Sequence, residues 1–161
     1  ATNGMSIYNN SNQGSPERIG GLLHVQSCDP VVALDSLAFV TLRSGTTCNG
    51  VTNELQLVDI KNLDNPKLIA QYDLSNPHGL AYDGNLLFIC DGSAGIKIYD
   101  LSESIETVDQ KLIFQKQGMM AYDAIAYHGT LIVSTDMGIY LIDYSDKSNI
   151  KIESLIESAR N

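Results

Sequence analysis

Asp29, His78 and Asp123 stand at comparable places in this chain: beside Pro30, directly after Pro77, and directly after Tyr122, each just ahead of a short apolar segment. Carboxylate oxygens and an imidazole gathered from successive units would suit a divalent cation, and a cation held there would polarise a substrate or activate water. Three further polar residues, Arg43, Asp91 and Asp136, lie in "TLRSGTTCNG", "CDGSAG" and "STDMG", the loops that follow the next apolar segment of each unit. An isolated guanidinium in an acidic chain can receive a carboxylate bidentately, or pair with Asp29 or Asp91. The competing reading is structural. Asp91 and Asp136 sit in Gly-assisted turns, where Asp bonds its own backbone, and Asp29, His78 and Asp123 are three dispersed turn and strand-start residues without metal-ligand spacing. "GSAG" is not a phosphate loop, because neither the following Lys nor a helix N-terminus accompanies it. Nothing in the chain amounts to a catalytic signature.

The elements that must position these residues repeat. "GMSIYNN" at Gly4, "ELQLVDI" at Glu54, "GIKIYDL" at Gly95 and "GIYLIDY" at Gly138 share a period-two alternation, the pattern of a strand. They recur at roughly 40 to 50 residues, the length of a four-stranded propeller blade. Before each later copy stand two short apolar segments and a tight turn, in "VVALDSLAFVTL", "GLAYDGNLLFIC" and "AIAYHGTLIVST". Their turns are read at Asp35-Ser36, Asp83-Gly84 and His128-Gly129. After each copy comes a fourth segment, in "PERIGGLL", "PKLIAQYDL", "QKLIFQK" and "IKIESLI". Pro16 and Pro66 open fourth strands, while Pro30 and Pro77 precede first strands, where a residue without an amide proton does no harm to a ladder.

The expected fold is therefore all-β: a β-propeller of four-stranded antiparallel blades, about three and a half of them, as a single domain over 1–161. The divisions fall at 1–27 (a half blade), 28–75, 76–118 and 119–161, and helix periodicity is nearly absent. Asp59, Asp100 and Asp143, with Asn9 in the first copy, end the third strands. A role repeated in every unit points to scaffolding, the capping of amides in the following turn. Tyr8, Tyr99, Tyr82 and Tyr127 are read the same way, as packing between blades.

The third-strand motif, "LQLVDI" with "IKIYDL" and "IYLIDY" as looser copies, resembles the LVIVD-repeat β-propeller family, and "VDIKNLDNP" has a counterpart in "IYNNSNQGSP". The resemblance covers nearly the whole chain. It implies an architecture and a bacterial setting, often exported or surface-anchored, and no shared reaction. Members carry more blades, so the half blade at the start implies further blades upstream, or self-association in which another chain completes the ring.

In such a ring the loops leading into the innermost strands and those joining strands two and three open on one face. The six polar residues would then line one channel mouth. Cys28 and Cys48 belong to the same face, and a bridge between them would close a loop of about 20 residues, stabilising by roughly 3 kcal/mol and indicating an oxidising compartment; two free thiols is the competing reading. Cys90, behind "LLFI", is read as a buried small hydrophobe.

Composition narrows the partners. The formal charge of −9 over 161 residues, with no cluster of Lys and Arg, excludes a phosphate backbone as partner. No apolar run approaches the roughly 18 residues of a membrane span. The leading expectation is a non-catalytic, extracytoplasmic propeller in the periplasm or at the cell surface, binding a protein or glycan at the channel mouth. The alternatives are a metal-assisted hydrolase or lactonase using that mouth, and a structural subunit completing a ring with another chain.

Overall fold

The computed structural model describes residues 4–22, 30–45 and 51–158. They form fourteen strands in four antiparallel sheets. Sheet one is the pair β1 (Met5–Asn9) and β2 (Glu17–Leu22). Sheet two runs β3 (Val31–Leu34), β4 (Leu37–Leu42), β5 (Glu54–Asp59) and β6 (Lys67–Asp73). Sheet three runs β7 (Leu80–Asp83), β8 (Leu86–Cys90), β9 (Ile96–Asp100) and β10 (Leu112–Lys116). Sheet four runs β11 (Ala121–Tyr127), β12 (Thr130–Thr135), β13 (Gly138–Asp143) and β14 (Lys151–Glu157). Within each sheet, chain order is spatial order, the meander expected of short strands joined by tight turns. The helical content among the described residues is one 3₁₀ turn, Val108–Gln110. Third strands begin at Met5, Glu54, Ile96 and Gly138, within one residue of the repeat read from the sequence.

The chain divides into two compact units, Ala1–Asp73 and Leu74–Asn161. In the first, Ala38, Val40, Leu42 and Val58 on one face of sheet two bury against Met5 and Leu22 of sheet one. In the second, Phe88, Cys90, Ile96 and Ile98 of sheet three pack on Ala124, Leu131, Val133, Tyr140 and Ile142 of sheet four. Each fully buried Leu, Ile or Phe here contributes about 1.5–3 kcal/mol, so these face-to-face contacts hold each unit together.

The residue ending each third strand caps the next turn. Asn9 Oδ1 accepts the Ser11 amide at 2.9 Å, Asp59 the Lys61 amide at 2.8 Å, Asp100 the Ser102 amide at 3.0 Å and Asp143 the Ser145 amide at 2.9 Å. A second such turn follows where Asn12, Asn62 and Asp146 accept the Gly14, Asp64 and Ser148 amides. Scaffolding, as the repetition implied, is what these side chains do.

Two expectations about register need correction. The middle hairpin turns at Gly84-Asn85, with Asp83 paired to Leu86, and not at Asp83-Gly84. The other two hairpins turn where expected, Leu34 pairing with Leu37 around Asp35-Ser36 and Tyr127 with Thr130 around His128-Gly129, both residues of the last turn at positive φ. Tyr82 and Tyr127 look equivalent when "AYDG" is laid on "AYHG", yet they stand one position apart in register, and a one-residue slip reverses the face a side chain occupies. Tyr127 is accordingly 64% exposed, and Tyr8 is 56% exposed, so neither packs between sheets, whereas Tyr99 is buried.

Candidate functional site

Four of the six rim residues lie in the second unit, around the start of β7 and the start of β11. Asp91 follows β8 and is wholly buried. Its Oδ1 accepts the amides of Ser75 at 2.9 Å and Asn76 at 2.8 Å, and its Oδ2 accepts Lys97 Nζ at 2.6 Å. Asp91 thus does not bond its own turn through its carboxylate; it ties the segment leading into β7 to the β8–β9 hairpin. Asp136 performs the corresponding task in sheet four. Its Oδ1 accepts the Met120 amide at 2.8 Å while its own amide donates to the Met120 carbonyl at 3.1 Å.

His78 and Asp123 are brought close. The His78 amide donates to the Cys90 carbonyl at 2.7 Å, and the Gly79 amide to the Tyr122 carbonyl at 2.8 Å. The His78 ring meets the Tyr122 ring edge-on at 5.6 Å, and a Cβ placed on Gly79 would lie 2.0 Å from Asp123 Oδ1. The closeness of the two strands requires glycine there. Asp123 is exposed and its Oδ1 accepts the Ala124 amide at 2.9 Å. Cys90 is a free, buried thiol whose pKa is raised by burial first and by the Asp123 charge second, the opposite of an activated nucleophile. Arg43 is half-buried after β4, in the first unit. Asp29 and the proposed Cys28–Cys48 bridge lie outside the described residues. Among the described residues no three His, Cys, Asp or Glu side chains are grouped to hold a metal ion.

At the other end of the same strands is a recess that the sequence reading did not single out. A cavity of about 470 Å³ opens between the β7–β8 hairpin, the β11–β12 hairpin and the turns after β9 and β13. Asp83, Asn85, Asp100, His128, Tyr144 and Lys147 line it. Tyr144 donates its hydroxyl to Asp83 Oδ2 at 2.5 Å, and Lys147 Nζ donates to Asp100 Oδ2 at 2.6 Å and to Ser102 Oγ at 3.3 Å. Burial, then the bond to Asp83, pushes the Tyr144 hydroxyl up to about 12. The Lys147 bond, then that of Ser102, holds the Asp100 carboxyl down at about 2. Neither group is poised to exchange a proton near neutral pH, as a general acid or base must be. What the recess offers instead is a fixed set of donors and acceptors with an exposed imidazole, His128, held at positive φ on its edge.

Asp100 serves two purposes: its Oδ1 caps the Ser102 amide, as the repeat implies, and its Oδ2 is a wall of the recess. No protein-family model matches the chain, and no curated protein sequence matches it.

Proposed function

We propose that this chain is a non-catalytic binding module of β-propeller architecture, of the LVIVD-repeat kind, acting outside the cytoplasm on a glycan. Support for the architecture comes from three consecutive four-stranded meanders, each closing its third strand on the same Asx turn. The exported or surface setting is what the motif resemblance implies. Of the two ligand classes, protein and glycan, the recess favours the glycan: at about 470 Å³ it matches small-ligand sites, and its lining mixes carboxylate, amide, ammonium and imidazole groups suited to hydroxyls. The observation that carries the non-catalytic reading is geometric: the Tyr144 hydroxyl is engaged by Asp83, and the Asp100 carboxylate by the Ser102 amide and the Lys147 ammonium.

Calorimetry of the full chain against a panel of neutral oligosaccharides tests this. Saturable binding should weaken about tenfold, the equivalent of ~1.4 kcal/mol, when Asn85→Ala removes an amide from the recess. His128→Gly, which keeps the positive φ, should weaken it likewise. Absence of binding across the panel, or binding indifferent to both substitutions, would remove the recess from the proposal.

A further inference from the structure

The repeat breaks in sheet three, and the break builds a second recess beside the first. Seven residues join the third strand to the fourth in the other sheets, 10–16, 60–66 and 144–150, whereas eleven, 101–111, join β9 to β10. The longer connection is pinned to the body of the unit. Leu101 and Val108 are buried, the Leu101 amide donates to the Asn85 carbonyl at 2.8 Å, and the 3₁₀ turn at Val108–Gln110 returns the chain to β10. The Asx caps recur in every sheet and are scaffolding; this connection belongs to sheet three alone, and compact loops that depart from a scaffold are where binding residues concentrate.

A cavity of about 270 Å³ lies against this connection. Asp100 and Lys147 line both it and the larger recess, so their ion pair is the wall the two cavities share. Beyond the wall the lining is Glu103, Gln110, Lys111, Leu112 and Ile113. Lys111 Nζ donates to Glu103 Oε2 at 2.7 Å, as Lys147 does to Asp100, so the four charges balance. Leu112 and Ile113 are 43% and 40% exposed and give the cavity an apolar side, next to the exposed amide of Gln110. We propose that the ligand is a neutral oligosaccharide, with one sugar in the larger recess and the following units laid over the Asp100–Lys147 bridge into the smaller one.

This inference rests on the glycan reading of the larger recess and extends it to the length and charge of the ligand. The bridge is a crossing point, because it can still bind. Lys147 carries three ammonium protons, Asp100 and Ser102 take two, and the side chain is 54% exposed, so a hydroxyl of a crossing sugar can accept the third. In the smaller cavity the C–H face of a sugar ring meets Leu112 and Ile113 while its hydroxyls reach Gln110, the mixture of apolar wall and few polar groups usual in small-ligand sites. Neutrality follows from charge. Both ammonium groups already face carboxylates, and a formal charge of −9 on the chain opposes an anionic glycan.

Calorimetry of the full chain against glucose and N-acetylglucosamine, each as the single sugar and as its β1,4-linked dimer, trimer and tetramer, provides the test. In the series that binds, affinity should rise at least tenfold between one sugar and three and then level off. Gln110→Ala and Ile113→Ser replace exposed side chains, with circular dichroism and the urea midpoint reporting that the fold is intact, and each should cancel most of that gain with length. Asn85→Ala, in the larger recess, should weaken every length. Equal affinity at all lengths, or a gain that survives both Gln110→Ala and Ile113→Ser, would overturn the two-recess ligand and leave the larger recess standing. Absence of binding at every length in both series would overturn the glycan reading and this inference together.

Discussion

The hydroxyl of Tyr144 donates to Asp83 Oδ2 at 2.5 Å, joining the turn after β13 to the β7–β8 hairpin of the neighbouring sheet. The ring behind that hydroxyl is buried and lies 4.8 Å from Phe88, so the bond closes over the core shared by sheets three and four. Tyr144→Phe keeps the ring and removes the bond, which should cost ~1 kcal/mol in urea unfolding. Because the folded pKa is raised to about 12 from an ordinary value of 10.0, the neutral hydroxyl is the form that folding favours. The contribution is complete below pH 10 and disappears as pH rises toward 12. Wild type should lose stability through that window more steeply than Tyr144→Phe, and parallel curves would refute the assignment.

On the acid side the controlling pair is Asp100 with Lys147. Its folded pKa is lowered to about 2 from 3.8, so the stability it supplies is present above pH 3.8 and lost as pH falls through 2. Lys147 is more than half exposed, and solvent screening reduces the contribution to about 0.5 kcal/mol. Lys147→Met should shift acid unfolding to slightly higher pH in low salt, and the shift should shrink as salt is added.

A larger loss is expected at Asp91. Its carboxylate is wholly buried and accepts two amides and the Lys97 ammonium. Asp91→Ala leaves those donors without an acceptor and should destabilise by ~3 kcal/mol. Asp91→Asn keeps an oxygen for the amides and should cost less. Lys97→Met should be the mildest of the three, since the Asp91 oxygens retain the Ser75 and Asn76 amides. If Asp91→Ala unfolds at the same urea concentration as wild type, the side chain does not hold the lead-in to β7.

How far the sequence disclosed this can be followed in single residues. The Asx cap at Asp59, Asp100 and Asp143 was legible because a repeated residue at a strand end has a local task, with its partner amide two positions on. The anchoring by Asp91 was not, because Ser75 and Asn76 lie in the preceding linker and their meeting depends on β7 pairing with β8. The recess is illegible in the sequence for the same reason: Asp83 and Tyr144 are 61 positions apart, and nothing in either motif signals the other. The expected register of the middle hairpin alone fails, on a matched glycine. Gly84 is the first turn residue and Gly129 the second, so aligning them slides one strand past its true partner.

Two glycines separate crowding from backbone strain. Gly79→Ala sets a methyl 2.0 Å from Asp123 Oδ1 and 2.7 Å from the Asp123 Cα, and the backbone atom cannot rotate away. The two lead-in segments must separate, at a cost of ~2 kcal/mol or more. Gly84→Ala meets no atom within 4 Å but holds φ at +59°, so it should cost only about 1 kcal/mol, from strain alone. Thermal or urea unfolding of both variants ranks them; a reversed order would mean that β7 and β11 have room to part.

Cys90 offers a readout of the core beneath His78 and Asp123. It ends β8 with no exposed surface, and burial together with the Asp123 charge pushes its thiol up, so almost no thiolate exists at neutral pH. Alkylating reagents should leave Cys90 unmodified in the native protein and label it only as fast as the second unit opens, with peptide mass distinguishing it from Cys28 and Cys48. Urea below the unfolding transition should raise that rate, because β8 is central to the core shared with sheet four. Cys90→Ser places a hydroxyl where the pair of sheets offers mainly aliphatic neighbours and should destabilise by about 1–2 kcal/mol, whereas Cys90→Ala, which leaves only a small void, should cost about 1 kcal/mol. Native labelling at the rate of an exposed thiol would show that the surfaces of sheets three and four part readily, and would undo the account of Cys90 as inert filling.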